Sequence, residues 1–118
     1  MTTYAPLLLS GSTDGKPIAV AATASPGTTI HTAVTGSTSW DEVYLWVSNV
    51  TAAAATLTIQ WGGTTDPADM IVKGVSVPAN STAILVIDGL RINNGAVIRA
   101  FGGTASALNI TGNVNRIT

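Results

Sequence analysis

Leu57, Ile59 and Trp61 alternate with Thr56, Thr58 and Gln60. A repeat of two sends one set to each side of an extended chain, so residues 56–61 predict a strand with one apolar and one polar face. Residues 29–34 alternate likewise, with Ile30, Thr32 and Val34 opposite Thr29, His31 and Ala33. Residues 16–22, around Ile18 and Val20, read as another strand. Residues 43–50 differ in being apolar on both sides. Val43, Leu45 and Val47 share one face, while Tyr44, Trp46 and Val50 share the other with Ser48. A strand covered on both faces is central in a sandwich or lies against a neighbouring subunit. Residues 83–87, 96–101 and 108–114 complete the set, and 70–77 is a weaker candidate interrupted by Gly74.

Turn chemistry separates these runs. Asn93-Asn94-Gly95 suits a turn that needs positive φ, which predicts a hairpin between residues 90–92 and 96–100. Pro78-Ala79-Asn80-Ser81 and Gly102-Gly103-Thr104 are further breaks, residues 62–67 form a longer loop, and residues 52–55 fit a turn better than a helix. About eight short strands with regular turns predict an all-β fold, an antiparallel β-sandwich of jelly-roll type. The Ser/Gly-rich stretch before Lys16, with Leu7, Leu8 and Leu9 ahead of it, reads as a flexible N-terminal arm over residues 1–15. Residues 16–118 are then the single domain, and the arm is a candidate to dock on a neighbour.

Composition narrows the function. Charged residues are 9% of the 118, against about 25% in an average soluble domain. With a net charge of −1, no field exists to draw in nucleic acid or an anionic membrane. Mean hydropathy is +0.40, yet no apolar run approaches the roughly 20 residues of a spanning helix. The first residues also lack the basic region of a secretory signal. With no cysteine there is no disulfide, thiolate nucleophile or cysteine zinc site. So charge-poor a surface suggests that much of it is covered by copies of the chain or by a larger partner.

The inventory for catalysis is short. His31 is the only histidine and is expected on a solvated or interface face; a triad would have to assemble through space from Ser37 or Ser39 with Asp41. Asp41 and Glu42 are adjacent, so on a strand they point to opposite sides and cannot share a proton. Asp66 and Asp69 could offer oxygens to calcium, although an Asx-type turn fits their spacing better. Gly62-Gly63 and Gly102-Gly103 open no helix and precede no Gly-Lys-Ser/Thr, so they are not phosphate loops. No cofactor or metal is expected, and the chain does not read as an enzyme. Lys16, Lys73, Arg91, Arg99 and Arg116 are dispersed. Arg99 and Arg116 fall in apolar segments and are candidates to meet partners across an interface. Trp61 is expected in the core. Trp40, Tyr44 and Trp46 are candidates for subunit contact, since Trp and Tyr anchor interfaces, or for stacking on sugar rings.

Two strings carry a resemblance. Residues 39–46, Ser-Trp-Asp-Glu-Val-Tyr-Leu-Trp, and residues 57–67, Leu-Thr-Ile-Gln-Trp-Gly-Gly-Thr-Thr-Asp-Pro, are similar to segments of small structural proteins of tailed bacteriophages. Val114-Asn115-Arg116-Ile117 matches their C-terminal string. The resemblance spans roughly residues 28–118. It implies a virion component, foremost a head decoration or cement protein, without catalysis. Such a protein would be made in the host cytoplasm and carried on the capsid surface, where it binds the major capsid protein and strengthens capsomer contacts. It also implies a homo-oligomer, a trimer first. On the aromatic residues alone, a carbohydrate- or receptor-binding module of a tail, neck or head fibre stays open. Leu7, Leu8, Leu9, Trp40, Tyr44, Trp46, Arg99 and Arg116 are the expected interface residues.

Overall fold

A computed structural model describes residues 2–118 and divides them among nine strands and no helix. They are β1 (Tyr4–Leu8), β2 (Ile18–Ala19), β3 (Thr28–Thr32), β4 (Trp40–Asn49), β5 (Ala55–Trp61), β6 (Met70–Val77), β7 (Ile84–Ile92), β8 (Val97–Gly102) and β9 (Leu108–Ile117). Two antiparallel sheets result. Sheet A runs β1–β9–β4–β7, and β2 also pairs with β9; sheet B runs β3–β8–β5–β6. From β3 to β5, and again from β6 to β9, successive strands change sheet, and this strand order is that of a jelly roll.

The period of two decides what faces inward. Along β4 burial alternates without a break, with Asp41, Val43, Leu45, Val47 and Asn49 inside and Trp40, Glu42, Tyr44, Trp46 and Ser48 half-buried on the outer face. Val43, Leu45 and Val47 meet Leu57, Ile59, Ile98, Ala100, Leu108, Ile110 and Val114 in one core between the sheets. Burying each of these Val, Ile and Leu side chains is worth about 1.5–3 kcal/mol. No Phe, Tyr or Trp is among the largest fully buried side chains. Trp61 packs against the core but stays half-buried. A core made of aliphatic residues leaves the other aromatics free for the surface.

The expected hairpin at Asn93–Gly95 is half right. Asn94 and Gly95 do take positive φ (58° and 66°) and the turn closes through Ala96 N–H to the Asn93 carbonyl, 3.1 Å. The strands it joins then part, β7 to β4 in sheet A and β8 to β3 and β5 in sheet B. The strand expected over residues 16–22 shortens to Ile18–Ala19. Ile84–Ile92 form one strand bent by bulges, longer than the expected 83–87.

The N-terminal segment corrects the expectation of a flexible arm. Tyr4–Leu8 is strand β1, in register with β9 from Tyr4–Ile117 to Leu8–Asn113. Leu9 is core, 2% exposed. Gly11 N–H then bonds the Ile30 carbonyl of sheet B at 2.9 Å, so residues 9–11 bridge the two layers. The accessible surface, 5898 Å², is what size scaling gives for a compact monomer of this mass, about 5,900 Å². An extended arm would exceed it.

One buried amide fastens the β4–β5 connection. Asn49 is 1% exposed, donates to the carbonyls of Ala53 (2.8 Å) and Val77 (3.2 Å), and accepts from Thr51 N–H (2.9 Å) and Thr51 Oγ1 (2.7 Å). Asn49→Ala strands these groups away from water, so urea unfolding should show a loss of about 2–3 kcal/mol, whereas Thr82→Ala on the exposed β6–β7 loop should stay within about 0.5 kcal/mol.

Candidate functional site

Antiparallel register aligns outward residues in rows across sheet A. Tyr4, Ile117 and Trp40 form the first row; Pro6, Asn115, Glu42 and Arg91 the second; Leu8, Asn113, Tyr44 and Asp88 the third; Thr111, Trp46 and Leu85 the fourth. Ile117 is 2% exposed yet stands outside the core cluster, because Tyr4 and Trp40 flank it on the outer face. An outer face of an antiparallel sheet is ordinarily polar. Here the central strand β4 carries three aromatic rings on that side.

These rings are held. Tyr44 Oη donates to Glu42 Oε1 at 2.7 Å, and its ring lies over Gly89, where an added Cβ would come within 3.2–3.4 Å of it. The Tyr44 hydroxyl foremost, then Arg91, keeps the Glu42 carboxyl below its ordinary value, and the same hydrogen bond pushes the Tyr44 phenol up. The Arg91 guanidinium stands 5.4 Å from the Trp40 ring centroid, a cation–π distance. Trp40 Nε1 is buried without a hydrogen-bond partner. Two shallow hollows open beside the rings. One, about 280 Å³, is lined by Trp40, Arg91, Ile92 and Asn93; the other, about 260 Å³, by Pro6, Tyr44, Trp46, Asn113, Val114 and Asn115.

Of the expected interface residues, Trp40, Tyr44 and Trp46 come together on this face. Leu8 joins them at its margin, exposed. The rest separate. Leu7 packs against the core and Leu9 is inside it. Arg99 lies on β8 in register with Thr29 and Gln60, on the other sheet. Arg116 turns inward, contrary to the expectation of an intersubunit partner. Its Nε and Nη2 bond Asp41 Oδ1 and Oδ2 at 2.8 and 3.0 Å.

His31 also departs from expectation, being 1% exposed. A bulge between Thr29 and His31 breaks the alternation, so that Ile30 and His31 are both buried. His31 Nε2 bonds Asp41 Oδ2 at 2.7 Å, and Nδ1 accepts the Ser10 N–H at 3.0 Å, which places the ring proton on Nε2. Asp41 Oδ2 also accepts Val34 N–H at 3.1 Å. Burial pushes the Asp41 carboxyl up, but Arg116 and His31 outweigh it and hold it below its ordinary value; Asp41 in turn raises Arg116. Both ring nitrogens are engaged, so neither is left to activate the hydroxyl of Ser37 or Ser39. The cluster ties β3, β4, β9 and the segment after β1 together inside the sandwich.

The Asp66–Asp69 loop is occupied by its own chain. Asp69 Oδ2 accepts Thr65 N–H at 2.9 Å and Asp66 pairs with Lys73 at 2.6 Å. No cluster of three or more His, Cys, Asp or Glu side chains able to hold a metal occurs among the described residues. Glu42, Asn113 and Asn115 belong to the outer face and were not anticipated there. The spacing of Asn109, Thr111, Asn113 and Asn115 at every second position was the available signal. Known protein families, curated proteins and solved structures contain no match to the chain.

Proposed function

We propose that the chain is a non-enzymatic docking protein, a decoration or cement protein of a tailed-phage head, that binds the major capsid protein through the outer face of sheet A. The observation that carries this is the aromatic row Trp40–Tyr44–Trp46 on the middle of a sheet whose core needs none of these rings. The resemblance of residues 39–46 and 57–67 to segments of tailed-phage structural proteins supports the phage setting. The face supplies what docking needs, since half-exposed Trp and Tyr held in place lose little entropy on binding. A site repeated by capsid symmetry makes modest contacts add up through avidity.

The test is cosedimentation of the purified chain with heads assembled without it. Tyr44→Ala with Trp46→Ala should weaken binding at least tenfold while the melting temperature moves by no more than about 5 °C. Unchanged binding, or a variant that melts much earlier, sinks the proposal. A second reading has one observation in its favour. The hollow of about 260 Å³ combines Tyr44 and Trp46 with the amides of Asn113 and Asn115, the pairing of ring and hydrogen-bonding groups that a saccharide requires. Saturable binding on a glycan array, with heads ignored, would favour that reading.

A further inference from the structure

Eight large apolar side chains are exposed among the described residues, and five lie on two strands: Ile71 and Val75 on β6, and Ile84, Leu85 and Leu90 on β7. Both strands are free edges, β7 of sheet A and β6 of sheet B. They are also the same side of the molecule. β4 runs directly into β5 and β8 into β9 through five-residue connections, residues 50–54 and 103–107, so the two sheet orders run in the same sense. Proteins protect free edges by brevity, proline or charge. The opposite side is protected in this way: β1 and β3 have five residues each, and β1 carries Pro6. β6 and β7 have eight and nine residues and no proline, and guard their length with few charges, Lys73 on β6 and Asp88 and Arg91 on β7.

We infer that the β6–β7 edge is where copies of this chain associate, β6 of one copy lying against β7 of the next. A symmetry axis parallel to the strands produces this arrangement and leaves the two neighbouring strands antiparallel. Charge matches across it. Lys73 is the only charged residue of β6 and sits at its middle; Asp88 is the acid of β7 and sits at the middle of that strand, whose Arg91 is already turned to Glu42 at 3.4 Å. Apolar residues flank both, Ile71 and Val75 around Lys73, Leu85 and Leu90 around Asp88. The edge is large enough. Eight or nine residues at about 3.3 Å each span roughly 28 Å, and the molecule is 20 Å through its shortest dimension. Each copy thus offers roughly 500 Å², the lower range of specific association. The bulges along β6 and β7 favour side-chain packing over one continuous ladder. Lys73 already pairs with Asp66, but with both about half exposed that bond is weak and easily exchanged. Asp88 and Leu85 end the third and fourth rows of the sheet A face, but Trp40, Tyr44 and Trp46 take no part, so association of copies is read separately from binding to a capsid.

Size exclusion with light scattering on the full chain is the test. The expected mass is two or three times 11.9 kDa. Lys73→Glu and Asp88→Lys should each raise the dissociation constant at least tenfold, because each puts like charges together across the contact. The double exchange K73E with D88K should restore the assembly. Val75→Lys with Leu85→Lys should give single copies with an unchanged far-ultraviolet spectrum. A wild-type chain of 11.9 kDa at 100 µM overturns the inference, as does an assembly indifferent to these variants. Singles that dissociate without rescue by the double exchange overturn the β6-on-β7 pairing.

Discussion

Asp41→Asn should lower the unfolding free energy by about 3 kcal/mol, the expected result of breaking a buried ion pair from one side. Asp41 is fully buried and takes four hydrogen bonds: two from Arg116, one from His31 and one from the Val34 amide. Asparagine keeps the shape but presents an amide N–H₂ where an acceptor stood, leaving the Arg116 charge without its partner. For a domain of this size the loss corresponds to roughly 10–15 °C in melting temperature. Glu42→Gln, one residue away on the outer face, is the control and should move it by no more than about 3 °C. Acid should bring the two proteins together. The Asp41 carboxyl is held below its ordinary value in the folded chain, so its contribution is complete above the unfolded carboxyl range near pH 4. It is lost as pH falls through the lower folded value. Wild type should therefore lose stability on acidification below about pH 4 faster than D41N, and the gap between them should narrow. A gap that stays constant from pH 7 to pH 3 would mean that Asp41 does not act through its charge.

The second large effect is expected from a single methyl group. Gly112 lies on β9 opposite Leu45 of β4, at the centre of sheet A. A Cβ there would overlap the Tyr44 carbonyl oxygen and come within 3.1 Å of Leu45 Cδ2. Neither backbone can yield without opening the β4–β9 ladder, so Gly112→Ala should cost more than about 3 kcal/mol, read as the shift of the urea midpoint at unchanged slope. It should also displace Tyr44 and with it the outer face. Gly36→Ala makes the contrast. Nothing lies within 4 Å of a Cβ there, and only its φ of +83° resists, so about 1 kcal/mol is expected. If both variants melt alike, close approach at Gly112 is not what sheet A depends on.

What was legible in the sequence follows from what is local. Alternation along 56–61 and the double apolar face of 43–50 are properties of neighbouring residues, and both strands form there. The opposite directions of Asp41 and Glu42 are equally local and hold in β4. His31 was misplaced because one bulged residue, Ile30, shifts everything after it to the other face, and no composition signal marks a bulge. Arg116 and Asp41 are 75 residues apart, so their pairing waits on topology. Gln60 sits on the polar side of its strand yet is fully buried, because Gly27 N–H and Ser25 Oγ fold over it. The N-terminal arm was inferred from serines and glycines at 10–15, whereas Leu7 and Leu9, alternating inward, were the better guide to β1. Of the candidate face, β4 was readable on its own. Its neighbours on β1, β7 and β9 become neighbours only through register.

The place of β9 in sheet A orders events in time. It stands between β1 and β4, and among the described residues it follows every other strand. β1 and β2 both pair with it, so the earliest strands have no sheet to join until the last has been made. Contacts between residues this far apart in sequence form slowly, because the chain must close its longest loop first. Sheet B can assemble from β3, β5, β6 and β8 while β9 is still emerging from the ribosome, but sheet A cannot. The aromatic face is therefore built only on a chain whose synthesis has passed residue 117, and a truncated copy would have no finished surface with which to compete for its partner.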